Sequence, residues 1–241
     1  RHTGIVQHFV GVACRMTDTK QNLRSLDLSR GSLDSSDLAI GDVHGCCRAL
    51  TTLVDFVGLR DDDVIVTLGD YVGRGPETRA VIDWLIGFSA TGRLVPLRGN
   101  HEIMMLRARD DPEALENWLH SGGRRALESY APPGGGGSIR DVPDRHWAFL
   151  ENELLAVFET ESHFFVHAGA RPDVPLDEQP DRMLYWEKFR RPPVHRSGKV
   201  MVCGHTSQKC GLPNNVGHAV CIDTWACGGG WLTCLDPAAG R

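Results

Sequence analysis

From residue 38 onward the chain repeats one pattern: a short apolar run, a small residue, then Asp, Asn or His. LAIGD ends at Asp42, VIVTLGD at Asp70, LVPLRGN at Asn100, FFVH at His167 and VMVCGH at His205. Unbroken apolar runs without alternation are what strands buried on both faces look like. Each predicted strand delivers a polar side chain at its carboxyl end.

Asp42, Asp70 and Asn100 are separated by 28 and 30 residues, the length of a βαβ unit. The intervening stretches carry helical periodicity. Cys46, Leu50, Leu53, Val54 and Val57 fall on one face, and after Pro76 so do Val81, Ile82, Leu85 and Ile86. Crossover helices make the flanking strands parallel neighbours. A mostly helical insert follows from Glu102 to Tyr130, broken at Gly122-Gly123. PPGGGGS (132–138) then reads as a surface loop and DRHWAFLENEL as a short helix. AVCIDT and WLTCLD flank ACGGG, a strand, turn, strand signal in which Gly228–Gly230 reads as a hairpin turn.

The expected fold class is α/β, with two mixed β-sheets packed together and α-helices outside. Residues 38–241 form one domain. Residues 1–37 show no useful periodicity and are expected to be a poorly ordered extension; its VQHFVGVAC stretch is able to add to the body as an edge strand instead.

A chain of 241 residues with 41% hydrophobic and 24% charged residues is ordinary for a folded, water-soluble protein. Its formal charge of −5 argues against a nucleic-acid partner, which calls for a clustered basic face. No apolar run approaches the ~20 residues needed to span a bilayer, so neither membrane insertion nor secretion is expected. The eight cysteines form no CxxC pair, which disfavours a zinc ribbon and suits a reduced cytoplasm.

Ligands of open α/β sheets sit beyond the carboxyl ends of the strands, so Asp42, Asp70, Asn100, His167 and His205 are expected to converge. His44 joins them, because Asp-x-His on an extended stretch puts both side chains on one side. An isolated Asp at a strand end is more often a helix cap, and an isolated Gly-Asn a turn. Together they are a donor set of carboxylate and amide oxygens with imidazole nitrogens, suited to Mn, with Fe or Zn as alternatives. Six donors exceed the needs of one ion. Two ions sharing a carboxylate form the usual device for attack at phosphorus.

GDVHG (41–45), GDYVGRG (69–75), GNHE (99–102), HAG (167–169) and GHT (204–206) occur in this order. The set resembles the PPP-type metallophosphatases over residues 38–241. The resemblance implies a metallophosphoesterase-like fold. It implies that Asp42, His44 and Asp70 hold one ion, while Asp70, Asn100, His167 and His205 hold the other. It further implies that Arg74, Asn100 and His101 contact phosphate, with Arg74 stabilising transition-state charge and His101 acting as general acid. Glu102 reads as structural, an acid suited to the start of a helix.

Two positions depart from the family pattern. Gly73 stands where the protein phosphatases carry an Asp that orients the histidine, which weakens the expected general acid most for poor leaving groups. Lys188 stands where a phosphate-gripping Arg is expected, with Arg190 and Arg191 close behind, and Lys does not reproduce a bidentate Arg. The function expected first is a cytoplasmic phosphoprotein phosphatase acting on phosphorylated protein or peptide at Ser/Thr or Tyr. The alternatives are a symmetric dinucleoside tetraphosphate hydrolase, whose pattern resembles GDxVxRG with a small residue at this place, and a non-catalytic phosphate-binding scaffold.

Overall fold

The structure is a computed structural model and describes residues 8–13, 23–26 and 37–237. Three parallel strands carry the first three motifs: β3 (Asp37–Ile40), β4 (Val64–Thr67) and β5 (Leu94–Pro96). They are joined by helices α1 (Cys47–Val57) and α2 (Thr78–Ser89). Leu50 and Leu53 of α1 and Val81, Ile82 and Leu85 of α2 are buried, the faces that the 3.6-residue period marks.

On the other side of β3 lies β11 (Trp231–Asp236), antiparallel to it. Beyond β11 come β1 (His8–Ala13) and β2 (Leu23–Leu26), completing a six-stranded sheet in the order β2-β1-β11-β3-β4-β5. The strand alternative for VQHFVGVAC therefore describes residues 8–13, although β2 and not β1 forms the edge. β2 and Asp37, the first residue of β3, also fall within the expected N-terminal extension, and its other residues lie outside the described residues.

The second sheet has five strands in the order β6-β7-β8-β10-β9. Here β6 is Val157–Glu159, β7 His163–Val166, β8 Val200–Cys203, β9 Asn214–Asn215 and β10 Ala219–Cys221. β7, β8 and β10 run parallel, and both sheets are mixed. The expected α/β architecture of two packed sheets flanked by helices is the one observed.

Successive strand residues point to opposite faces, and burial on both faces explains why the runs do not alternate in polarity. Leu38 and Ile40 face the helices while Ala39 faces the second sheet; Ile65 and Val66 divide the same way. Phe165, Val202 and Val220 meet Ala39, Val66 and Leu235 between the sheets. Phe164, Met201 and Cys221 pack on the outer side under α7 (Asp181–Trp186) through Leu184 and Tyr185.

The insert is helical as expected: α3 (Asn100–Asp110), α4 (Pro112–Trp118) and α5 (Arg124–Glu128), with Gly122 at φ 111° marking the break. Residues 132–136 are exposed, and α6 spans Asp144–Asn152. The expected hairpin at Gly228–Gly230 is corrected. β10 and β11 belong to different sheets, so residues 222–230 carry the chain from one sheet to the other. A Gly-rich turn between two strands reads the same in sequence whether the strands pair or part. The seven described cysteines form no disulfide with one another. No helix among the described residues is long and apolar enough to cross a membrane.

Candidate metal centre

Asp42, Asp70 and Asn100 follow β3, β4 and β5, and His167 and His205 follow β7 and β8, so both sheets contribute to one polar focus. All six side chains proposed as ligands meet there. Asp42, His44, Asp70, Asn100 and His167 are buried and His205 is nearly so. The loops are laced together by backbone bonds: His44 N–H donates to Asp70 O (2.7 Å), Gly45 N–H to Tyr71 O (2.8 Å) and Gly75 N–H to His44 O (2.8 Å). Two glycines are demanded by close approach. A Cβ at Gly204 would collide with Asp42 Oδ1, and one at Gly99 with Asp70 Oδ1 and N.

Hydrogen bonds fix the orientation of two imidazoles. Nδ1–H of His44 donates to Val72 O (3.1 Å) and Nδ1–H of His167 to Leu68 O (2.7 Å), since a carbonyl only accepts. With the Nδ1 proton used in this way, Nε2 of each ring is turned inward. For His44 that atom is buried without a hydrogen-bond partner, 3.4 Å from Asp70 Oδ2 and 4.0 Å from Asp42 Oδ2. For His167 it faces Asn100 Oδ1 at 3.0 Å and Asp70 Oδ1 at 3.4 Å. His205 Nδ1 lies 2.9 Å from the same Asn100 oxygen. Acceptors aimed at acceptors in a buried site repel unless a cation lies between them.

Two overlapping groups of possible metal ligands stand out among the described residues, His44–Asp70–His101 and Asp70–His167–His205. Asp70 belongs to both, the position a bridging carboxylate needs. The donor set thus fits two divalent cations. His101 falls within reach of the first group as well, its Nε2 3.9 Å from Asp70 Oδ2.

The electrostatics point the same way. Burial, then Asp223 and Asp70, push the Asp42 carboxyl upward, the penalty of crowding acids that no counter-charge relieves. Burial also pushes Asp70 upward, but His167, His101, His44 and the His101 N–H outweigh it and hold its carboxyl well below the usual range. Burial drives His44 well down, His101 to about 4 and His205 to about 3, so all three are neutral at pH 7 and able to donate lone pairs.

Arg74 and His101 form the outer edge of the site. An Arg74 Nη2–H donates to His101 Nε2 (3.1 Å), which assigns the proton of the neutral ring to Nδ1. That Nδ1 is buried and has no partner. A Cβ built on Gly73 would lie 3.0 Å from it, so the departure seen at Gly73 is the missing neighbour of this nitrogen.

Two residues of the site were not legible as such. The two carboxyl oxygens of Glu102 accept the backbone N–H groups of Asp70 (2.8 Å), Tyr71 (2.8 Å), Val72 (3.1 Å) and Gly99 (2.9 Å). Burial and the Asp70 charge push its carboxyl up to about 8, against the pull of these donors. It holds the turn that carries Asp70, in addition to starting α3. Asp223 follows β10, as the other acids follow their strands, and is buried; it accepts from Ser207 Oγ (2.7 Å) and Trp225 N (3.0 Å). The AVCID run shows the same signal, an apolar run followed by a polar residue, as the five recognised ones.

Backbone strain marks the same region. Six described non-glycine residues have positive φ, and four of them are His44, Asp70, Arg74 and His205 (φ 44°, 52°, 61° and 61°). Such strain persists where the surroundings over-determine it, commonly at functional sites. The other two are Arg191 and Trp225.

Comparison with known proteins agrees with this geometry. Residues 38–220 match the family model described as calcineurin-like phosphoesterase. The symmetrical bis(5'-nucleosyl)-tetraphosphatase of Ralstonia nicotianae is 32% identical over 138 residues, covering 56% of this chain and 42% of that protein. The enzyme of the same name from Legionella pneumophila is 27% identical over 169 residues, covering 59% and 60%. The chain thus spans less than two thirds of the length of either. The crystal structure of a protein provisionally named a diadenosine tetraphosphatase superposes with a TM-score of 0.65 at 19% identity, covering 87% of this chain and 92% of the other, a likeness of fold. With the family model covering most of its length, the chain belongs to the calcineurin-like phosphoesterase family.

Proposed function

We propose that this metallophosphoesterase hydrolyses symmetrical dinucleoside tetraphosphates at the central anhydride, giving two nucleoside diphosphates. The phosphoprotein reading that the motifs first suggest is the less supported of the two. The relatives named above support the tetraphosphate reading, and the observation that carries it is the environment of His101. Its Nε2 accepts from Arg74, its Nδ1–H has no acceptor, and burial lowers its basicity to about 4. Such an imidazole is a poor proton donor near neutrality.

Leaving-group chemistry then selects the substrate. A serine alkoxide must be protonated to depart, and general acid catalysis contributes typically 10²–10⁴-fold. A nucleoside diphosphate departs as a phosphate whose second pKa is about 6, so it is stable without a proton at pH 7. The water oxygen joins one central phosphorus, the P–O bond to the other half breaks, and the bond's electrons leave with that diphosphate.

In this reading Asp42, His44 and Asp70 hold one cation, and Asp70, Asn100, His167 and His205 the second, with Mn the first choice. When bound, the cations supply Lewis-acid activation of water and neutralise phosphoryl charge. Arg74 offers its guanidinium fork to the phosphoryl oxygens. His101 positions Arg74 through the 3.1 Å contact. Glu102 keeps the Asp70 turn fixed through four N–H groups.

The test is turnover by Mn-loaded protein of diadenosine tetraphosphate beside a phosphoserine, phosphothreonine and phosphotyrosine peptide panel. The proposal expects ADP as the only nucleotide product and kcat/KM at least 100-fold above that on any peptide. Peptide turnover equal to or above the tetraphosphate rate overturns it, and two bound ions with zero turnover of everything would favour the scaffold.

A further inference from the structure

Beside the metal centre lies a cavity of about 180 Å³ between the chain that follows β7 and the segment that follows α7. Its floor is apolar, with Met183, Phe189 and Met201; its rim is cationic, with Lys188, Arg190 and Arg191; Glu187 is the one acid on its wall. None of these residues belongs to the ligand set. We infer that this cavity seats one nucleobase of the substrate while the phosphate chain crosses the cationic rim to Asp70.

The cavity is tied to the reacting centre at two points. Ala168, which lines it, directly follows His167 and donates its N–H to Leu184 O in α7 (2.8 Å). Phe189 donates its N–H to Thr206 Oγ1 (2.9 Å), and Thr206 directly follows His205. Both walls are therefore continuous with residues that carry ligands.

Size and charge select the occupant. Pockets that enclose a whole drug-sized ligand run to roughly 300–1,000 Å³, so about 180 Å³ takes one ring system and leaves the sugar and phosphates outside. Apolar side chains below and cations at the mouth match a flat base attached to a polyanion. Glu187 offers an acceptor to an exocyclic amine, as carboxylates do for amino-bearing bases. Arg191 holds its place on the rim at φ 130°, a strained backbone of the kind the metal site also carries. The inference gives Lys188, Arg190 and Arg191 a task for which no single phosphate-gripping residue needs to be chosen: they guide the outer phosphates.

This inference rests on the proposed tetraphosphatase reading, and the experiment separates the two. With Mn-loaded protein, kcat and KM are measured for diadenosine tetraphosphate and for p-nitrophenyl phosphate in wild type, Met183→Trp and Met183→Leu. Filling the cavity in Met183→Trp is expected to raise KM for the dinucleotide at least tenfold, with kcat and p-nitrophenyl phosphate turnover within about twofold. The volume-conserving Met183→Leu is expected to behave as wild type. Parallel losses on both substrates, no loss on either, or a loss confined to p-nitrophenyl phosphate overturns the inference.

Calorimetric titration of wild type with ADP and with inorganic pyrophosphate needs neither turnover nor a folded variant. ADP binding at least tenfold tighter than pyrophosphate supports the cavity, even if diadenosine tetraphosphate proves not to be hydrolysed and the functional reading falls. Equal affinities for ADP and pyrophosphate overturn the cavity assignment whatever the turnover.

Discussion

Replacing Gly73 by Asp puts back the one group that the His101 side of the site lacks. The added Cβ would sit 3.0 Å from His101 Nδ1, which the ring accommodates by shifting a few tenths of an ångström, and a carboxylate beyond it faces an N–H with no other acceptor. At a separation of ~4 Å and an effective dielectric of ~20 the attraction for an imidazolium is about 4 kcal/mol, and opposite charges at such range raise a basic pKa by about 1–3 units. Starting from about 4, roughly one His101 in a thousand is protonated at pH 7, and a rise of about two units increases that population ~100-fold. The substitution also forces a side chain onto φ +84°, costing about 1–2 kcal/mol and lowering Tm by about 2–8 °C for a chain of this size. The assay is kcat/KM across pH 5–9 on a phosphoserine peptide, p-nitrophenyl phosphate and diadenosine tetraphosphate. Gains of ~10–100-fold are expected for the phosphoserine peptide, smaller ones for the aryl ester and none above twofold for the anhydride. An equal gain on all three, or none on any, would refute the reasoning that His101 lacks only an acceptor and that the leaving group decides the benefit.

Other outcomes follow from the same structure. Stripping metal with a chelator should abolish turnover and lower Tm, because the facing acceptors then repel; an unchanged Tm in differential scanning calorimetry would count against the ligand set. In metal-free protein His44, His101 and His205 are held neutral by burial, so the unfolded chain takes up protons first. Stability should be full above pH 6.5 and decline as pH falls toward 4, and a flat Tm over that range contradicts the assigned directions. Glu102→Gln places an amide NH₂ against two of the four backbone N–H groups. Leaving two buried donors without acceptors costs about 2–6 kcal/mol, read as a lower urea midpoint; Glu102→Asp, which keeps the carboxyl group and shortens the reach, should lose activity more than stability.

The parts of this molecule visible in its sequence are those dictated by local physics. β3, β4, β7 and β8 are buried on both faces, so each carries an apolar run without alternation (Leu38–Ile40, Val64–Val66, Phe164–Val166 and Val200–Cys203), and Asp42, Asp70, His167 and His205 stand out as the first polar residues past the strand ends. The faces of α1 and α2 were legible from their period. What escaped depends on partners distant in sequence. Glu102 looks like a helix-start acid, yet its acceptor role depends on N–H groups about thirty residues away in the Asp70 turn. Asp223 was absorbed into a supposed hairpin because nothing local tells that β10 and β11 join different sheets. The cavity beside the metal centre is assembled from chain segments after β7 and α7 that carry no motif of their own, and only packing brings Met183 and Met201 to one lining.

The most direct test of the central claim is metal stoichiometry by elemental analysis after equilibrium dialysis against Mn, on wild type, Asp42→Asn and Asp70→Asn. Two ions per chain, one remaining in Asp42→Asn and none in Asp70→Asn, with hydrolysis lost in both variants, is the result expected of two cations sharing Asp70. Two ions still bound in Asp70→Asn, or full hydrolysis by protein that holds none, would contradict it.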